Sequence, residues 1–234
     1  CINMVLDIWA GTAPYNLSGE FFQVTTEQTM MPDIGQGIIP KPYQDPHPPI
    51  VGTAVAPYSK GVTAMAARGW DPISANFLLP KWVATHWPRY AEGCEQGGRP
   101  ADFRNWRVAK NICVADDMET ARAYARDPGS PYVYYFSQLL TKLKVGGRAN
   151  LFKEDQNMPD DDVTLDYVLD RLVIYGDPAS VADQILAFRE EVGDFGHLIY
   201  AGHDWTDKEL GRRSMILMAE EVMPRVNAAI SAAA

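Results

Sequence analysis

Cysteine is scarce in this chain: Cys1, Cys94 and Cys113 are odd in number and far apart. That spacing excludes a disulfide framework and a thiolate zinc site, and it suits a reducing compartment. Histidine is scarcer than its usual share, with four in 234 residues, and His197 and His203 stand neither four apart nor beside a cysteine. No metal-ligand spacing results. Basic residues are outnumbered, 21 Lys and Arg against 30 Asp and Glu, for a formal net charge of -9. With no basic cluster either, a nucleic-acid partner is excluded. Apolar runs stop well short of the ~20 residues of a membrane span. A basic-then-apolar leader is absent from the N-terminus. These absences predict a cytoplasmic protein without membrane contact. Also missing are a Gly-x-Ser-x-Gly elbow and a Gly-Lys-Ser/Thr phosphate loop. The Gly-x-Gly of "DIGQG" (33–37) neither follows a strand nor opens a helix, so it is no dinucleotide fingerprint.

What is present is proline, glycine and a repeated strand-then-helix rhythm. "INMVLDIWAG" reads as the end of an amphipathic helix, with Ile2, Val5, Leu6 and Trp9 on one stripe and Gly11 as its stop. A chain that opens inside a helix is expected to be the C-terminal portion of a longer domain. "PYNLSGEFFQV" predicts a small hairpin around Ser18-Gly19. Residues 25–49 are polar and proline-rich, and the stretch "PKPYQDPHPP" is held extended. Strands are predicted within 50–56, 71–78, 106–115 and 196–202, each followed by a helical pattern. Ser59 stands at the N-cap position of the first such helix. Pro80 opens the second, which Pro88 should kink or break. Asp116 or Asp117 caps the third. A helix near 131–144 carries Tyr132, Tyr134, Tyr135 and Phe136. A polar loop around 146–162 leads to a short helix near 163–172, and Asp177-Pro178 starts another. The closing helix carries Leu210, Leu217, Met218 and Val222.

Four βα units predict a parallel sheet. A closed (β/α)8 barrel needs eight, so the expected fold is α/β, a TIM-like barrel of which this chain supplies about the second half. A doubly wound sheet is the runner-up. Sites in such folds form at the C-terminal strand ends. At the first of these, "AVAPYSKG" offers backbone N–H groups, the Ser59 hydroxyl and a helix dipole, suited either to a phosphate or to plain helix capping. At the last, His203 and Asp204 are either acid–base groups or residues of a solvated loop. His86, among Trp82, Trp87 and Tyr90, either faces a pocket or is satisfied at a helix–barrel seam. The aromatic helix is either the wall of an apolar pocket or an ordinary packed face, and 130–162 is an insertion or lid.

Five phrases in order resemble the bacterial luciferase-like flavin-dependent monooxygenases. They are "YNLSGEFFQV" (15–24), "PKPYQDPHPPIVG" (40–52), "APYSKGVTAMAARG" (56–69), "ICVADDMETARAYA" (112–125) and "YGDPASVADQI" (175–185). The small, apolar end of the first strand is more similar to the limonene-monooxygenase-like branch than to luciferase itself. The resemblance makes the four strands barrel strands five to eight. It implies reduced FMN from a separate flavin reductase, dioxygen, a small and apolar organic substrate, and a homodimer for the full-length form. Thr53, Ala54, Tyr58 and Ser59 are the implied flavin-phosphate residues. Asn76, Phe77, Tyr134 and Phe136 are the expected substrate wall. The family's remaining contacts come from strands one to four, so no catalytic residue is assigned and no metal is expected. Two alternatives stand beside this reading: a deazaflavin-dependent oxidoreductase of the same superfamily, and a non-catalytic fragment that needs the missing half-barrel.

Overall fold

The computed structural model describes residues 1–233. The chain divides into two compact units, Cys1–Ile50 and Val51–Ala234. In the first, helix α1 (Ile2–Ala10) ends at Gly11, whose N–H closes on the Asp7 carbonyl at 2.7 Å. Strands β1 (Asn16–Ser18) and β2 (Gln23–Thr25) form the expected antiparallel hairpin. The rest is irregular apart from a single 3-10 turn at Pro32–Ile34 and a Met31–Gln36 bridge. Lys41 ties this unit together: its ammonium donates to the carbonyls of Ile8 and Gly11 and lies 5.5 Å from the Tyr15 ring centre. Three interactions on one cation replace the regular hydrogen bonds that a proline-rich segment cannot make.

The second unit is a five-stranded parallel sheet with its helices. Strands β3 (Val51–Ala54), β4 (Asp71–Ser74), β5 (Arg107–Val114) and β6 (Val173–Gly176) lie in that order, and β7 (His197–Tyr200) also pairs with β5. Four of the five match the strands predicted from sequence. The fifth, β6, is a correction: Val173 follows directly on helix α7 (Leu165–Leu172), so its apolar residues look like the tail of that helix.

Strand β5 forks. Arg107 to Lys110 pair with His197 to Tyr200, whereas Asn111 to Val114 pair with Val173 to Gly176. The last β5–β7 bond runs from Ala201 N–H to the Lys110 carbonyl at 2.9 Å. Beyond it, β7 leaves the sheet.

Helix α2 (Lys60–Ala67) packs on β3 through Val62 and Ala66, which meet Tyr90 and Cys94 of helix α4 (His86–Gln96). Burying a side chain the size of Val62 contributes roughly 1.5–3 kcal/mol. The α2–α4 approach is close because Gly93 has no side chain: a Cβ there would sit 2.3 Å from the Thr63 carbonyl oxygen. Helix α3 (Pro80–Ala84) ends before Thr85, three residues upstream of the break expected at Pro88. Pro88 instead occupies the first turn of α4, where its missing N–H costs nothing.

Helices α5 (Met118–Arg126) and α6 (Pro131–Val145) follow β5, and α8 (Pro178–Val192) follows β6. Each starts where a side-chain cap predicts it: Asp117 accepts from Thr120 N–H, Ser130 from Val133 N–H and Asp177 from Ser180 N–H. Asp116, the other expected cap of α5, pairs with Arg213 instead. The closing helix is interrupted: α9 (Lys208–Leu217) passes through a π turn at Met218–Val222 into α10 (Met223–Ala233). No described helix is long and apolar enough to cross a membrane.

Candidate functional site at the strand ends

Register brings one level of the sheet together. Ser74 of β4 pairs with Val108, so Asn76, two residues on, comes level with Lys110, beside Asn111. The chain leaving β7 at Ala201 reaches the same level. Here Asn76 Nδ2 donates to Asn111 Oδ1 at 2.9 Å, and the Tyr135 hydroxyl of α6 donates to Asn76 Oδ1 at 3.1 Å. His203 Nε2 lies 2.7 Å from the same Asn111 Oδ1. The ring of His203 is held edge-on by Tyr132 at 5.2 Å and tilted against Tyr135 at 5.5 Å. Tyr132 is itself fixed, donating its hydroxyl to the Ile112 carbonyl at 2.6 Å. Burial pushes the His203 imidazole below its ordinary value. It also pushes the Tyr135 phenol up, against the opposing effect of its bond to Asn76.

The four residues expected to form a substrate wall do not lie together. Tyr134 points to solvent, 68% exposed, and Phe136 is sealed in the core with Tyr132. The stripe Tyr132, Phe136, Leu140, Leu143 is the buried face of α6, which leaves Tyr135 at its flank to meet Asn76. Phe77 is half-buried against a core cluster that Trp82 also covers. Asn111 was missed by sequence reasoning, although a carboxamide within "RVAKNICVA" is a legible signal. A polar side chain in the middle of a buried strand needs a partner.

The turn after β3 has its own support. Tyr58 has φ +52°, the one non-glycine residue in the left-handed region among those described. Such a conformation costs ~1 kcal/mol or more and persists only where neighbours hold it. Tyr58 N–H donates to Thr85 Oγ1 at 2.9 Å, and its ring sits against Trp82. The Ala56 carbonyl accepts from His86 Nε2 at 2.9 Å.

The tautomer of His86 follows from its neighbours. Trp106 Nε1–H can only donate, so it donates to Ser74 Oγ at 2.9 Å. The Ser74 hydroxyl then donates to His86 Nδ1 at 2.8 Å, leaving the proton on Nε2. Burial depresses the His86 pKa, partly opposed by its bond to Ala56. His86 is thus a satisfied seam histidine that anchors the turn, the second of its two expected roles. His86→Leu leaves the Ser74 hydroxyl and the Ala56 carbonyl without this partner, and a stability loss of about 2 kcal/mol is expected in a urea melt.

Ser59 sits at the N-cap of α2 yet makes no capping bond. Capping, the alternative reading of this residue, is absent. An uncapped hydroxyl and first-turn N–H groups after a strained residue fit an anionic group such as a flavin phosphate. Ala54 is buried beneath this turn, and Thr53 lies exposed on the open edge of β3. Among the described residues no cluster of three or more His, Cys, Asp or Glu could hold a metal ion.

The luciferase-like monooxygenase family model matches residues 1–194. The chain is 24% identical over 220 residues to 3,6-diketocamphane 1,6-monooxygenase of Pseudomonas putida, covering 93% of this chain and 55% of that one. It is 26% identical over 171 residues to limonene 1,2-monooxygenase of Rhodococcus erythropolis, covering 73% and 39%. Its fold matches the oxygenating constituent of 3,6-diketocamphane monooxygenase of P. putida, solved in complex with FMN. The TM-score is 0.77 at 22% identity, over 96% of this chain and 61% of that one. The chain thus spans about half the length of these relatives. With parallel βα units and a family match over residues 1–194, most of the chain, this chain belongs to the luciferase-like monooxygenase family.

Proposed function

We propose that the chain is part of a TIM-like barrel in a flavin-dependent monooxygenase, with β3, β4, β5 and β7 as barrel strands five to eight and β6 as an additional strand on β5. It would act with reduced FMN and dioxygen on a small, largely apolar organic substrate. The carrying observation is the uncapped Ser59 behind the strained Tyr58 at the start of α2. Supporting it is the FMN in the solved relative of the same fold.

Bound in its reduced form, the flavin supplies the electrons and activates dioxygen. Tyr58, Ser59 and the first-turn N–H groups of α2 would hold its phosphate, with Thr53 and Ala54 alongside. Asn76, Phe77 and Tyr135 would line the substrate's side, and the aromatic rings of α6 exclude water from it. Reduced FMN would come from a separate flavin reductase, and the full-length form would be a homodimer.

Ser59→Asp tests this reading. A carboxylate beside the phosphate is expected to weaken FMN about 30-fold, on the order of 2 kcal/mol, and to leave riboflavin within about twofold. Fluorescence titration with both ligands measures it. Equal loss for the two, or uptake of a deazaflavin in place of FMN, would overturn the assignment.

A further inference from the structure

Hydrogen-bond direction fixes the chemistry that His203 offers. Tyr135 donates to Asn76 Oδ1, and Asn76 Nδ2 donates to Asn111 Oδ1. That oxygen can only accept, so His203 Nε2, at 2.7 Å, carries the proton and donates to it. Nδ1 is left with a lone pair. It has no hydrogen-bond partner among the described residues, and it is not one of their two buried unpartnered polar atoms, Tyr15 Oη and Arg126 Nε. The ring cannot turn to hide it, because Tyr132 and Tyr135 grip its faces and edge.

We propose that His203 is the residue that reads the organic substrate, accepting at Nδ1 a hydrogen bond from a substrate hydroxyl or N–H, with Asn111 as the residue that positions it. This rests on the site receiving an organic substrate, and it deepens that reading by naming the substrate's polar group as a donor. A carbonyl group alone offers Nδ1 nothing while the ring is neutral.

The ring's neutrality has a physical source. The groups facing it are Tyr132 and Tyr135 from α6, Asn111 from β5 and Asn76 after β4, and its exposed chain neighbour is Asp204. Burial alone depresses its pKa, with no charged partner acting on it. Neutral imidazole is therefore the form present at pH 7.

Two measurements test the proposal. The first is 15N NMR of histidine-labelled protein without flavin. His203 is expected as the Nε2–H tautomer with a titration midpoint below ~6.5, and Asn111→Asp is expected to raise that midpoint by roughly one unit or more. A merely structural Asn111 would leave the midpoint in place. The second uses borneol and camphor, which share one carbon skeleton and differ in offering a hydroxyl or a carbonyl. With FMN present at neutral pH, tryptophan fluorescence is expected to show borneol bound about tenfold more tightly. The preference should vanish in His203→Phe and tilt toward camphor in Asn111→Asp. An Nδ1–H tautomer, equal behaviour of the two probes (including no binding of either), or a preference that survives His203→Phe overturns the proposal. Since tautomer and midpoint are read without flavin, failure of the FMN assignment at Ser59 is recognised separately.

Discussion

Lys110→Met is expected to stabilise the protein by about 3 kcal/mol at pH 7, with the gain fading as pH rises through 8 to ~10.4. Lys110 lies in β5 and is 2% exposed, its ammonium 4.8 Å from the centre of the Phe188 ring. Burial lowers its pKa to about 8, only partly offset by Glu191. Glu191 is itself raised, chiefly by burial and then by Glu154. Both groups shift toward their neutral forms, the opposite of what a working ion pair does, so desolvation outweighs their attraction. The sign follows from proton counting. A lysine depressed in the folded state binds fewer protons there than when unfolded between pH 8 and ~10.4, so stability rises across that window. Below it the full penalty is present, which Met removes while keeping volume and a sulfur–aromatic contact with Phe188. Urea melts of both proteins from pH 6 to 10.5 give the difference. A gain that does not change with pH would show that the ammonium reaches water and carries no burial penalty.

A second large effect is expected at Gly93, with the opposite of the usual sign. Gly to Ala inside a helix ordinarily gains about 0.5–1 kcal/mol. In α4 the new Cβ would meet the Thr63 carbonyl oxygen at 2.3 Å and the Ala66 Cβ at 2.6 Å, both on α2. Backbone and a buried methyl cannot yield as a flexible side chain would. Gly93→Ala is therefore expected to cost about 3 kcal/mol and lower Tm by roughly 10 °C. Glu95→Ala, on the exposed side of the same helix, should stay within about 0.5 kcal/mol. Under the proposed FMN site, Gly93→Ala should also weaken FMN, because α2 carries Ser59 at its N-terminus. A Tm unchanged or raised would mean that the helices separate freely, and the turn's position would then owe nothing to this crossing.

Most of the fold was legible where local chemistry and tertiary packing agree. Asp177-Pro178, Ser130-Pro131 and the pair Ser59 and Gly69 bracket helices whose buried stripes follow 3.6 spacing. Legibility failed where two elements abut without a turn. Leu172 ends α7 and Val173 begins β6, so no glycine or proline marks the change of period. The closing helix keeps its predicted apolar residues inside, with Leu217, Met218 and Val222 in one buried cluster, although the π turn at Met218–Val222 has no glycine or proline to announce it. Asn76 comes level with Asn111 from its place after β4, and it is Tyr135, not the exposed Tyr134, that bonds it. The i, i+4 spacing of Tyr132 and Phe136 identifies the buried face of α6 and would have chosen Tyr135. The bond from His203 to Asn111 spans 92 positions and leaves no trace in local pattern.

The fork in β5 has a consequence for how such a site diversifies. Residues 115–172, with α5, α6 and α7, leave from the end of β5 and come back through β6 to the upper half of that same strand. Both feet of the excursion thus stand on one strand, while β3, β4 and β7 keep their own pairings. It is a cassette. Tyr132 and Tyr135 travel inside it, whereas Asn76, Asn111 and His203 stay on the chassis. Exchanging the cassette would replace the aromatic rings that hold His203 and the hydroxyl that bonds Asn76, while the Asn76–Asn111–His203 hydrogen bonds are made by residues outside it.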